Sequence, residues 1–131
     1  MRTSLTQAVS GAAIAAATVL ALAGPAGAKP LPRLHTTLSI VEARSVIKAG
    51  QSDTIRGRLA HNGTGLGSEV VDLDRWNGTR FVAVQAGLTG KAGGVAFTVS
   101  PDVTARYELV FLGTSTLAPC HSGVVTVKVI P

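Results

Sequence analysis

Ile55-Arg56-Gly57-Arg58-Leu59 and Val95-Ala96-Phe97-Thr98-Val99 decide the fold of this chain. In both stretches apolar and polar or small residues alternate with a period of two, the signature of a strand with one face buried and the other in water. Ile55, Gly57 and Leu59 fall on one side, Arg56 and Arg58 on the other. Val95, Phe97 and Val99 repeat the pattern.

Working outward, the same period recurs along most of the chain. Leu38 and Ile40 share a face; Val71 and Leu73 alternate with Asp72 and Asp74. Tyr107, Leu109 and Phe111 alternate with Arg106 and Glu108, and Val125, Val127 and Val129 with Thr126 and Lys128. Asn77-Gly78 is a two-residue hairpin signal, because both residues tolerate positive φ, and Phe81 to Val84 is the returning strand. Leu88 lies in a short strand or edge segment. Turns are expected at Lys48 to Gln51, through the loop His61 to Ser68, at Gly90 to Gly94 and at Pro101-Asp102. After residue 28 no window sustains a 3.6-residue apolar period, so helices are not expected. The spacing predicts an all-β domain over residues 37–131, a β-sandwich of seven to eight antiparallel strands of the size of immunoglobulin-like domains. Phe97, Tyr107 and Phe111 are its aromatic core candidates.

The N-terminus reads differently. Arg2 precedes 16 uncharged residues, Ala8 to Ala23, rich in Ala, Val, Ile and Leu. Gly24-Pro25 breaks any helix, and Ala26-Gly27-Ala28 offers the small residues that a signal peptidase accepts. Residues 1–28 are expected to be a cleaved secretory signal, since a membrane span needs about 20 strongly apolar residues. Residues 29–36, with Pro30 and Pro32, form an extended leader. Much of the 46% hydrophobic composition of the 131 residues therefore belongs to a segment destined for removal. The product is expected to be secreted, in the medium or associated with the cell wall, with no membrane span after cleavage.

The formal net charge of +5 is spread along the chain, and no basic cluster interleaves with stacking aromatics, so nucleic acid is not an expected partner. Cys120 is the only cysteine; it can form no internal bridge, which leaves burial and backbone pairing to hold the domain. An intermolecular disulfide through Cys120 is the one covalent partnership open to it.

The order of landmarks resembles the bacterial immunoglobulin-like domains of exported actinobacterial proteins. The resemblance rests on Ala49-Gly50-Gln51 ahead of Ile55 to Leu59, on Val71 to Arg75 leading into Trp76-Asn77-Gly78-Thr79-Arg80-Phe81, on the glycine-rich turn before Val95 to Val99, on the Tyr107 to Phe111 strand with Gly113, and on the last strand Val124 to Ile130. It departs from the common pattern at Thr114 to His121. What it implies is the sandwich fold; such domains serve as spacers, adhesion modules and accessory binding modules.

No catalytic constellation stands out. A Gly-x-Ser-x-Gly elbow and a His-Glu-x-x-His helix are both missing, so an enzyme is not expected. Asp72 and Asp74 share a strand face about 7 Å apart, two of the six to eight oxygens a calcium site takes. Cross-strand ion pairing with Arg106 and Lys128 is the preferred reading. His35, His61 and His121 are isolated, and no metal or other cofactor is expected. Tyr107, Leu109 and Phe111 account for the core, which leaves Val110 and Leu112, joined by Val124 and Ile130, as an apolar strip on the solvent side. Trp76, with Arg80 and Phe81 around the hairpin tip, is the candidate aromatic contact. The sequence thus points to a non-catalytic binding or structural module whose contacts are Trp76, Arg80, Phe81, Val110, Leu112 and the His61 to Ser68 loop. Its expected partner is a protein or a cell-wall glycan surface. The alternative is a secreted inhibitor or small-ligand carrier on the same sandwich.

Overall fold

The computed structural model describes residues 31–131; the expected signal segment and the first two leader residues lie outside them. Nine strands follow in order: β1 (Thr37–Glu42), β2 (Val46–Lys48), β3 (Asp53–His61), β4 (Thr64–Gly65), β5 (Val70–Trp76), β6 (Phe81–Leu88), β7 (Gly94–Val99), β8 (Ala105–Phe111) and β9 (Cys120–Ile130). There is no helix among the described residues. The strands form a four-stranded sheet, in which β3 pairs with β1 on one side and with β7 and the short β4, and a five-stranded sheet of order β2-β9-β8-β5-β6. The architecture is all-β and β-sandwich-like.

Period-two alternation explains which residues meet between the sheets. The burial of β7 and β8 alternates along their whole length. Ile55, Leu59, Val71, Leu73, Leu109 and Val127 are fully buried, and Phe97, Tyr107 and Phe111 join the same cluster. Each such side chain contributes about 1.5–3 kcal/mol on leaving water. Gly57 has a packing reason: a Cβ there would collide with the Leu109 side chain and lie 2.7 Å from the Ser39 carbonyl oxygen. The glycine lets the sheets approach at their centre.

The all-antiparallel expectation fails at β2, which runs parallel to β9 in the register Val46↔Lys128 to Lys48↔Ile130. The chain changes sheets between β1 and β2. Asp53, 3% exposed, holds that crossover: its Oδ1 accepts from the backbone N–H groups of Arg44 and Thr54, both at 2.9 Å. Lys128 N–H then donates to the Ser45 carbonyl at 2.9 Å, and Ile47 enters the core. The strand count also rises to nine, because β4 falls inside the expected His61 to Ser68 loop and β2 lies where no strand was expected.

The two Asn-Gly pairs behave differently. Asn62 and Gly63 take φ of 47° and 81°, so the positive-φ hairpin turn lies here and joins β3 to β4. At Asn77-Gly78 only the glycine has positive φ. The Asn77 carboxamide oxygen instead accepts from the N–H groups of Thr79 (2.9 Å) and Arg80 (3.0 Å), an Asx-type closure of the β5–β6 hairpin.

A candidate binding face on the five-stranded sheet

Alternation turns Val70, Asp72, Asp74 and Trp76 of β5, and Arg106, Glu108 and Val110 of β8, away from the core. Register then sorts these outward residues into rows across the sheet. Asp74 lies between Ala83 and Glu108, and Glu108 lies opposite Val124. Asp72 lies between Ala86 and Val110, and Val110 is opposite His121. Val70 is beside Leu88. Leu112 follows the end of β8, two residues beyond Val110.

Two bulges shape this face. Leu73 pairs with Gln85 and Asp74 with Ala83, so Val84 is an extra residue in β6. On β9 the register slips between Glu108↔Val124 and Val110↔His121. There the Ser122 hydroxyl replaces a ladder acceptor, taking the buried Leu109 N–H at 2.8 Å and donating to the Gly123 carbonyl at 2.7 Å. The slip brings His121 to Glu108: Nδ1 is 3.6 Å from a Glu108 carboxylate oxygen and 3.0 Å from the Ser122 carbonyl.

The expected cross-strand pairs of Asp72 and Asp74 with Arg106 and Lys128 are not formed. The strands of Asp74 and Arg106 are neighbours, as expected, but the register sets Asp74 against Glu108 and Arg106 against Thr126. Three half-buried carboxylates therefore share the middle of the face. Burial raises the pKa of Asp72, Asp74 and Glu108. Asp72 raises Asp74 further; at Glu108 the neighbouring His121 acts downward and Asp74 upward. Asp74 Oδ1 is fully enclosed and has no hydrogen-bond partner. Among the described residues, no group of three or more His, Cys, Asp or Glu side chains has the geometry to hold a metal ion.

Arg106 is engaged elsewhere. Its guanidinium carbon lies 4.8 Å from the Trp76 ring centroid, and Phe81 meets Trp76 edge-on at 5.2 Å and 63°. Trp76 is thus clamped between Phe81 and a β8 cation, rather than against Arg80, which stays exposed at the hairpin tip. Val110 is half-buried in the Asp72 row. At the opposite end from Trp76, Leu112 is 72% exposed, Leu88 66% and Val70 55%. Residues 34–36 run elsewhere: Leu34 bridges to Leu117, and Thr36 Oγ1 donates to the Ala118 carbonyl at 2.7 Å. Cys120 is a free thiol, partly buried and packed against the core.

No family model, curated protein or solved structure matches the chain.

The sequence strip of Val110 and Leu112 is therefore part of a wider face. Val70 and Leu88 belong to it, and no local signal marks them, because they meet one another only through strand pairing. Glu108 was legible as outward but not as a neighbour of Asp74. The His61 to Ser68 loop folds back as β4, with Leu66 N–H donating to the Leu59 carbonyl at 2.9 Å and Ser68 N–H to the Thr89 carbonyl at 2.9 Å.

Proposed function

We propose that the protein is a secreted, non-catalytic immunoglobulin-like module that docks a protein surface through the outer face of its five-stranded sheet, at the cell surface or in the medium. The strand order supports the immunoglobulin-like reading. The β1-β3-β7 sheet stands against β9-β8-β5-β6, and the β1-to-β2 crossover lets the first segment serve both sheets. One observation carries the binding reading: exposed Leu88, Val70 and Leu112 lie on the side of the sheet that holds three half-buried carboxylates, away from the Leu34–Leu117 bridge. Exposed aliphatics beside a desolvated polar cluster are the anatomy of an interface core with a polar surround.

The test is retention of the purified protein on surface proteins and on cell-wall material isolated from the producing cell. Loss of retention in Leu112→Asp, with an unchanged melting temperature, supports this face. Retention unaffected by Leu112→Asp and by Asp74→Asn overturns it. Turnover of a substrate panel by the purified protein overturns the non-catalytic reading.

A further inference from the structure

The five-stranded sheet ends on a bare edge. Among the described residues β6 pairs with β5 alone, and its eight residues Phe81–Leu88 hold no charge and no proline. Strand edges are ordinarily blunted against stray pairing by charge, brevity or cover, and the other edges of this sandwich are. β1 ends on Glu42, β2 is three residues long and ends on Lys48, and β4 has two residues. At β7 the Thr98 carbonyl accepts from Gln85 Nε2 at 2.9 Å. β6 has only its bulge, where residues 83–86 are all exposed. Hydrogen bonds at the two ends of the hairpin set the phase of the strand: Asn77 N–H donates to the Arg80 carbonyl at 3.0 Å, and Thr89 N–H to the Glu69 carbonyl at 2.8 Å. Alternation from either end turns the peptide groups of Val82, Gln85 and Gly87 toward β5. Those of Phe81, Ala83, Ala86 and Leu88 turn to the open side.

We propose that the open edge of β6 pairs antiparallel with β6 of a second copy of this chain, joining the two five-stranded sheets into one. The bulge selects this occupant. Open-side peptide groups fall at residues 81, 83, 86 and 88, with a three-residue step across Val84 and Gln85. An ordinary strand presents such groups at every second residue, so it matches β6 on one side of the bulge and not on the other. A second β6 carries the same step, and the spacing reads the same in either direction. With a two-fold axis between Val84 and Gln85, Phe81 faces the partner's Leu88 and Ala83 faces the partner's Ala86; the axis repeats both pairs. The side chains agree with this register. All four lie on the outer face, opposite Trp76, Asp74, Asp72 and Val70 of β5. Alanines meet near the axis, where bulk would clash, and Leu88, 66% exposed, gains an aromatic neighbour. The contact is isologous, yet it opposes no like charges within the strand, because β6 has none. Two-fold closure uses up both β6 edges, so assembly stops at the dimer. One strand about 26 Å long is a narrow contact, and the dimer is therefore concentration-dependent. It forms at the edge of the sheet and does not rest on the docking reading of the outer face.

The experiment is sedimentation equilibrium of the full chain, joined to amide hydrogen exchange by NMR below and above the dissociation midpoint. The native protein is expected to pass from monomer to dimer, and no further, as concentration rises. In the dimer the N–H groups of Phe81, Ala83, Ala86 and Leu88 should exchange at least about tenfold more slowly than in the monomer. Those of Val82, Gln85 and Gly87, already turned to β5, should change far less. Val84→Lys and Val84→Glu, at a position 50% exposed, each set two like charges across the axis. Either variant alone is expected to dimerise at least about tenfold more weakly than the native protein, and an equimolar mixture to recover a 1:1 dimer. A native protein that stays monomeric overturns edge pairing, as does a dimer whose four open-side amides exchange as in the monomer. Variants that dimerise like the native protein, or a mixture without a 1:1 dimer, overturn it equally. The exchange measurement is made on the native chain, so it decides the matter even if a variant fails to fold.

Discussion

The two sheets follow the same rule on their inner faces and different rules on their outer ones. The four-stranded sheet is regular: β3 pairs with β1 and β7 without a register break, and its exterior is polar and cationic. The five-stranded sheet has two register breaks, a parallel edge strand and an exterior that mixes half-buried carboxylates with exposed aliphatics. Regular pairing satisfies each strand locally. Breaks bring together groups, such as His121 and Glu108, that ladder geometry would keep apart.

The largest test of this contrast acts on what the sheets share. Leu109→Ala removes a fully buried side chain of the five-stranded sheet that fills the space over Gly57 of the other. A loss of about 2–5 kcal/mol is expected in denaturant unfolding. A loss well under 1 kcal/mol would show that the sheets are not locked at this point.

Ser122→Ala addresses the β9 bulge alone. It orphans the buried Leu109 N–H and should cost about 1–3 kcal/mol. It should also separate His121 from Glu108, whose carboxyl then loses the downward pull of His121 and titrates higher by NMR. An unchanged Glu108 titration would mean that the bulge does not set the pair.

Trp76→Ala breaks the clamp made with Phe81 and Arg106. About 1–2 kcal/mol is expected from the aromatic and cation–π contacts, in thermal unfolding. Arg80→Ala at the same hairpin should stay within about 0.5 kcal/mol, as a surface position. Equal effects would place the two side chains in the same environment, against the geometry.

The smallest effect has the opposite sign. A carboxyl whose folded pKa is raised contributes stability that is fully present below its unfolded pKa and is lost as pH rises through the folded value. Asp74, raised from 3.8 by burial and by Asp72, is such a group. Asp74→Asn should therefore stabilise the protein at pH 7, by a few tenths to about 1 kcal/mol after solvent screening. The gain should vanish below a pH of about 3.8. A loss of stability at pH 7 would mean that the charged form is favoured where it sits. The regular four-stranded sheet offers no counterpart to this variant, since its outward positions hold no carboxylate.

Most strands were legible because alternation is local. Val95, Phe97 and Val99, or Tyr107, Leu109 and Phe111, declare their inner face within five residues, and all six are buried. The short strands were not legible: Val46-Ile47-Lys48 is too brief to show a period, and its pairing with β9 depends on a crossover held by Asp53. The site was legible only in fragments. Val110 and Leu112 stand out as surplus aliphatics, whereas their company with Val70 and Leu88 does not.

The sequence by itself determined the all-β class, the inward residues of each long strand and the outward direction of Asp72, Asp74, Arg106 and Glu108. A two-residue period is a property of the chain alone, and burial of one strand face follows from it. Tertiary structure decided the neighbours. Register, set by long-range pairing and by the Ser122 bulge, placed Asp74 against Glu108 instead of Arg106, and so gathered three carboxylates where alternation alone suggested balanced pairs.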